Sequence, residues 1–270
     1  MSTASPVPDF VRLFRADPYR FEFGAHSSDF PWFTLASGPD MALARRAGLL
    51  AAHPDRHLPW TPAAAAVLDG LLDWFDDDRV RPLRGRGREG LARLAGLWEP
   101  DVVLLRRDPA GEFRMIGGCV CDPSSWDPAA KLGLRVAEIH APVPGLNEQL
   151  GGRIQGFLDR LPEDTVICRE NWGLAAVPDR NLHPEVPRGR LGPNTSPDSA
   201  WLRVEHQAFR ALPGVQGLVF VIWLTVHPLQ EVLETPGVAP LFRRHLETMP
   251  PAVAEYKGLA AARETLLRRL

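Results

Sequence analysis

The stretch GLVFVIWLTV (217–226) is apolar at almost every position. Aromatic and β-branched residues at both odd and even positions are typical of a strand that is buried on both faces. Its uninterrupted apolar part, 218–224, is far shorter than the ~20 residues that a helix needs to span a bilayer. The sequence therefore predicts a central strand here, with the other strands of one sheet on either side.

The neighbouring segments predict further strands of this sheet. Apolar runs at 102–105 and 113–121 are separated by Asp108, Pro109 and Gly111, as in a hairpin. Residues 165–169 and 201–208 predict two more strands. Because side chains alternate along a strand, residues 201–208 form two sets on opposite faces. One face carries Leu202, Val204, His206 and Ala208. The other carries Arg203, Glu205 and Gln207, which we expect to be solvated.

Helical patterns precede and follow the predicted strands. Residues 40–52 and 146–161 each carry an apolar stripe at helical spacing, and Thr61 followed by Pro62 predicts an N-cap and first turn for a helix that reaches Phe75. The tail 229–270 is mostly helical in pattern, with interruptions at prolines. We therefore expect an α+β fold in a single domain, 1–270, with three parts: a mainly helical 1–99, a mixed or antiparallel sheet with flanking helices over 100–228, and a helical 229–270.

Composition excludes several function classes. Lys and Arg number 31 against 33 Asp and Glu, so the net charge of −2 gives no basic field for nucleic acid or an anionic membrane. Three cysteines, Cys119, Cys121 and Cys168, are too few for a disulfide framework and fit core packing. The start MSTASPVPDF lacks the pattern of a signal peptide, so we expect a cytoplasmic protein.

Two stretches carry residues that suit chemistry. In EIHAPVPG (138–145) an apolar strand is predicted to end at His140, and Pro142 and Pro144 restrict the backbone that follows. A histidine held in this way can be a ligand, a proton carrier or a turn cap. RENWG (169–173) is predicted to end a strand, where polar residues either form a site or satisfy a turn.

Three other segments have simpler interpretations. HPDRH (53–57) spaces two histidines by four residues, but Pro54 argues against a shared metal, and a surface position is expected. His206 shares a face with aliphatic residues, which is more often a core position than a ligand position. The segment 177–200 has five prolines, two glycines and no periodicity, which makes it a candidate lid.

Four blocks together resemble a known family: 124–145, 169–173, 201–213 and 217–229. In order and spacing they resemble the haem-dependent oxidative N-demethylase alpha-subunit family, also called HRQ proteins. The resemblance implies a PAS-like core that holds haem b, with its iron, without a covalent link and oxidises a small amine with release of formaldehyde. It implies electrons from a reductase carrying flavin and an iron–sulfur cluster, or from a ferredoxin, and it leaves a homo-oligomer open.

The resemblance also implies roles for individual residues. His140 matches the family's IHxPVPG block and is the expected iron ligand. The RxNW block is matched by Arg169, Asn171 and Trp172, which can hold haem propionates or wall the pocket. Glu205 and Gln207 match the E-R-Q block. Glu205 is the expected catalytic carboxylate, which holds a substrate ammonium or moves its proton.

The sequence departs from this family at two positions. Arginine is usual in the family where this chain has His206 and Trp223. His206 can therefore replace or join His140 at the iron, because its face is apolar. The loss of two cations also keeps two alternatives open: a haem-binding sensor or carrier without turnover, and a haem-free structural subunit.

Overall fold

The computed structural model describes residues 5–38 and 40–270, which form an α+β fold around one open antiparallel sheet. Its six strands lie in the order β1-β4-β5-β6-β2-β3. Their bounds are β1 His26–Ser27, β2 Asp101–Arg107, β3 Phe113–Cys119, β4 Ile167–Ala175, β5 Trp201–Leu212 and β6 Gly217–Pro228. The predicted central strand is confirmed, since β6 pairs with β5 on one side and β2 on the other.

Eleven α-helices surround the sheet within the described residues. Their bounds are α1 Phe10–Leu13, α2 Met41–Ala52, α3 Pro54–His57, α4 Ala64–Leu72, α5 Gly87–Leu94, α6 Val136–His140, α7 Leu146–Asp159, α8 Leu229–Leu233, α9 Val238–Thr248, α10 Pro251–Tyr256 and α11 Arg263–Arg269. None of the helices described is both long and apolar enough to cross a membrane.

The predicted helix starts are right for α2 and wrong for α4. The Asp40 carboxylate accepts a hydrogen bond from the Ala42 amide (2.6 Å) and so caps α2. Thr61 does not cap a helix with its side chain. Its hydroxyl donates to the Ile116 carbonyl (2.7 Å), and α4 begins at Ala64.

The two faces of the sheet are covered by different helices. On one face, Cys168, Ala208 and Val221 pack with the apolar side of α4 and α5, so we call it the α4 face. On the other, Val103 and Leu218 pack with α7, so we call it the α7 face. Because side chains alternate along a strand, each residue of β4 and β5 is assigned to one face by its register.

The predicted strand ending at His140 is wrong, because this segment is the short helix α6. The Glu138 carboxylate accepts a hydrogen bond from the Arg135 amide (2.7 Å), which satisfies a donor at the start of the helix and stabilises the turn. Gly145 (φ 74°) then reverses the chain into α7. His140 therefore lies at the end of one helix and just before another.

RENWG also differs from its prediction. Arg169 to Gly173 lie inside β4 rather than at its end, because this strand continues to Ala175 and pairs residue by residue with β5. The expected surface position of HPDRH is wrong for His57, which is fully buried with Nδ1 hydrogen-bonded to the Val120 carbonyl (2.8 Å). The three cysteines are buried and free, as expected for core packing.

The segment 177–200 is tied to the sheet by Arg203. The buried guanidinium of Arg203 donates to the carbonyls of Asp179 and Arg180, each at 2.7 Å, and Leu182 is buried beside this anchor. The expectation that Arg203 is solvated is therefore wrong, since this side chain holds an irregular segment against the α7 face.

Candidate functional site

Four polar residues form a cluster on the α7 face. Asn171 lies directly opposite Glu205 in the β4–β5 pairing, and Arg169 lies directly opposite Gln207. Directly opposed residues of antiparallel strands project from the same face. The structure thus brings together two of the predicted cofactor residues and the predicted catalytic carboxylate.

Amide groups hold the carboxylate of Glu205. Its Oε2 atom accepts hydrogen bonds from Gln207 Nε2 (2.9 Å) and Asn171 Nδ2 (3.3 Å). Two donors on one oxygen fix the orientation of the carboxylate, and neither donor carries a charge. The side chain of Glu205 is therefore positioned but not neutralised by these contacts.

Arg169 is the buried cation of the cluster. Burial lowers the pKa of Arg169, while the charges of Glu205 and Glu170 oppose that effect. Its Nε atom is buried with no hydrogen-bond partner among the described residues, and its guanidinium lies 5.8 Å from the centre of the Phe23 ring. A buried donor without an acceptor indicates a position suited to an anionic ligand.

His140 faces Arg169 from the helical side of the site. Burial lowers the pKa of His140 to about 4, and the positive charges of Arg169 and Lys131 add to the effect. The imidazole is therefore neutral at pH 7, the form that binds metals. Its Nδ1 atom is buried with no hydrogen-bond partner among the described residues.

Lys257, just after α10, completes the charged groups and was not found from the sequence. Its Nζ atom donates to the Trp172 carbonyl (2.7 Å) and lies 4.8 Å from the centre of the Trp172 ring. Burial lowers the pKa of Lys257 to about 8, and Glu205 opposes that effect. The sequence around Lys257, which follows the exposed Tyr256, does not indicate that this lysine is buried in a site. Its burial depends on the packing of α10 against β4.

A cavity of about 100 Å³ lies beside these residues. Arg169, Asn171 and Lys257 line it together with Leu150 of α7. Much of the remaining lining comes from residues 12–24, which we call the N-terminal strap. The strap covers part of β4 that β1 leaves unpaired, since β1 contacts only Ile167 and Cys168.

Trp172 and His206 project from the α4 face, away from this cluster. The Trp172 ring packs in the apolar cluster of the C-terminal helices, and Lys257 contacts both its backbone carbonyl and one side of the ring. His206 shares a hydrogen bond with Thr225 Oγ1 (3.1 Å), and burial lowers the pKa of His206 to about 4. The sheet separates His206 from His140, so the expectation that both bind one iron is wrong.

Metal binding by protein side chains alone is not indicated by the described residues. Within 5–38 and 40–270, no three His, Cys, Asp or Glu side chains converge as a metal site. A single imidazole beside a buried guanidinium suits a metal that arrives inside an organic cofactor.

Comparison with known families supports that chemistry. A family model described as haem-dependent oxidative N-demethylase, alpha subunit-like, matches residues 67–267. The match includes His140, Arg169, Asn171, Glu205 and Lys257, whereas the N-terminal strap lies outside it. The chain belongs to the haem-dependent oxidative N-demethylase alpha-subunit-like family.

Proposed function

We propose that this protein binds haem b on the α7 face of its sheet and, with haem bound, oxidises a small amine. The observation that carries the proposal is the pairing of His140 with Arg169. One is a neutral buried imidazole with an unpartnered ring nitrogen, and the other is a buried guanidinium with an unpartnered Nε among the described residues. Both lie inside the family match.

The donor set fits haem. A neutral imidazole is a common axial ligand of haem iron, which supports His140 in that role. A porphyrin of the b type carries two propionate carboxylates, and Arg169 and Lys257 are two buried cations that suit them. Trp172 supports the site from behind, because its carbonyl holds the ammonium of Lys257.

The small size of the cavity implies that part of its wall must move when haem binds. Ligand sites usually measure ~300–1,000 Å³, whereas the cavity beside Arg169 is about 100 Å³. The N-terminal strap forms much of its wall; it packs on β4 through Phe14 and Trp172, and the chain pairs with β4 as a strand at two residues, His26 and Ser27, which follow the strap. We therefore expect the strap to move when haem binds.

The chain's own residues prepare the substrate. Haem, when bound, supplies the redox centre for oxidation of the amine. Glu205 holds the substrate ammonium or accepts its proton, while Asn171 and Gln207 keep the carboxylate in one orientation. Leu146 and Leu150 of α7 provide an apolar wall that limits access of water.

We also propose the fold type, the electron donor and the cellular compartment of this enzyme. The antiparallel sheet with helices on both faces is compatible with a PAS-like single domain spanning 1–270. The alpha-subunit description of the family supports a partner that delivers electrons, which we expect to be a flavin and iron–sulfur reductase or a ferredoxin. Three free, buried cysteines suit a reducing cytoplasm.

Absorption spectroscopy tests this function directly. We expect the protein from haem-supplemented cells to show a Soret band and near-stoichiometric haem by the pyridine haemochrome assay. Addition of small amines with an electron donor should then consume oxygen and release formaldehyde. A haem-loaded protein that consumes no oxygen with any amine is a sensor or carrier, and a protein that rejects added haemin contradicts the proposal.

Substitution of His140 tests the iron ligand. His140→Ala should lose tight haem retention, because its imidazole is the proposed iron ligand. His245 also lines the cavity, so His245→Ala is measured beside it and should retain haem. His206→Ala, on the opposite face, and His53→Ala, at an exposed position, are matched controls that should retain haem. An unchanged Soret band in His140→Ala would remove His140 from the iron.

A further inference from the structure

A second cavity, of about 160 Å³, lies on the α4 face of the sheet. Strand residues Glu170, His206 and Cys168 form one side of it. The N-terminal segment forms the other side with Ser28, Phe30 and Trp32. We call it the α4-face cavity; Arg169 of the proposed haem site also borders it, although its side chain projects from the α7 face.

Glu170 gives this cavity a negative charge. It lies directly opposite His206 in the β4–β5 pairing, so both side chains project from the α4 face. Among the described residues, the Glu170 carboxylate accepts no hydrogen bond and forms no ion pair, although it is half-buried. The adjacent Arg169 also borders the cavity, but its side chain projects from the other face, and its charge interacts with that of Glu170 without an ion pair. The nearby Arg12 donates to His26 Nδ1 (2.7 Å) instead. A half-buried carboxylate without an ion-pair partner favours a positively charged ligand.

Aromatic rings form the wall that faces this charge. Phe30 and Trp32 line the cavity, with their ring centres 5.2 Å apart in an edge-to-face arrangement. The Trp223 ring, 5.5 Å from Phe30, supports them from β6. Aromatic faces attract cations, most strongly those with low hydration such as organic ammonium ions.

The polar side chains of His206 and Cys168 add no positive charge to the cavity. Because burial lowers the pKa of His206 to about 4, this imidazole is neutral at pH 7 and can exchange hydrogen bonds with a ligand. Burial raises the pKa of the Cys168 thiol to about 11, so it remains protonated. On the α4 face, the cavity therefore combines the carboxylate of Glu170 with the neutral groups of His206 and Cys168 and with aromatic rings, while the guanidinium of Arg169 projects from the other face.

We propose that the α4-face cavity binds a small organic cation that carries N–H donors, such as an alkylammonium or alkylguanidinium ion. Its volume is close to the ~150 Å³ that holds a benzene-sized ligand in other proteins. A metal ion is disfavoured, because the described residues contain no convergent set of three metal-ligating side chains. The site is separated from Glu205 by the sheet, and its occupancy does not depend on haem.

Calorimetric titration of the full-length, haem-free protein with ethylammonium, methylguanidinium and tetramethylammonium tests the proposal. We expect saturable binding of the first two, weaker binding of tetramethylammonium, which has no N–H donor, and no binding of acetate. Glu170→Gln should weaken binding about tenfold or more, since a charge-assisted hydrogen bond is lost. Glu148→Gln, which removes an exposed carboxylate of α7, should leave the affinity unchanged.

Two further variants separate this site from the proposed haem site. Phe30→Leu keeps the cavity apolar but removes one ring, and should weaken binding about threefold. Glu205→Gln, on the opposite face, should leave the affinity unchanged. If Glu205→Gln weakens binding and Glu170→Gln does not, the cation binds on the α7 face, which overturns this inference and leaves the haem proposal intact. Absence of saturable binding in folded wild-type protein also overturns it.

Discussion

Replacement of Lys257 by methionine should change how the stability of the protein depends on pH. The ammonium is held against the Trp172 carbonyl and ring in a largely buried position. Burial lowers the pKa of Lys257 from 10.5 to about 8. Between these two pH values the unfolded chain binds a proton that the folded protein has released, so the stability due to this residue rises with pH.

The difference between the pKa values of Lys257 in the unfolded and folded states sets the expected change in the free energy of unfolding. A change from 10.5 to about 8 corresponds to about 3 kcal/mol. We therefore expect the wild-type free energy of unfolding to gain about 3 kcal/mol over Lys257→Met as pH rises from 7 to 10.5. The variant also loses the hydrogen bond to Trp172, which adds an offset that does not depend on pH in this way.

Urea denaturation followed by circular dichroism at steps of pH measures this difference. Subtracting the free energy of unfolding of the variant from that of the wild type cancels the contributions of other groups that titrate in the same pH range. Cys168 is one of them, since burial raises its pKa to about 11. Lys131→Met is the matched control, since Lys131 is the other lysine of the chain, and it should keep the wild-type dependence. Parallel curves for wild type and Lys257→Met would refute the buried position of Lys257 and its proposed contact with a propionate.

Two other regions give predictions of their own. Arg46→Met should destabilise the protein by about 3–5 kcal/mol in urea denaturation, because it leaves the carboxylate of Asp101 buried without the guanidinium that lies 2.6 Å away. A loss below about 1 kcal/mol would contradict that account. In hydrogen–deuterium exchange, haem loading should raise the exchange rate of amides in the N-terminal strap about tenfold, as expected for a segment displaced from β4. Unchanged exchange at full haem occupancy would show that haem binds without moving the strap.

The sequence predicted best where local pattern and pairing agree. Alternation in β5 correctly assigned His206 and Glu205 to opposite faces, because an unbroken register preserves period two along the whole strand. It failed for α6, where a five-residue helix depends on hydrogen bonds between Arg135 and Glu138 rather than on apolar spacing. Lys257 could not be found in this way, because its burial depends on contact with a strand that lies 85 residues away in the sequence.

The placement of the two departures from the family pattern changes what they mean for haem. His206 and Trp223 lie directly opposite each other in the β5–β6 pairing, and Glu170 lies directly opposite His206 on the other side. These three residues form one row across the α4 face, whereas Arg169, Asn171 and Glu205 project from the α7 face. The absence of arginine at the two positions therefore removes no cation from the proposed haem site. The two positions lie instead in the row that contains Glu170, beside the α4-face cavity, so the departures are consistent with the cation site proposed there.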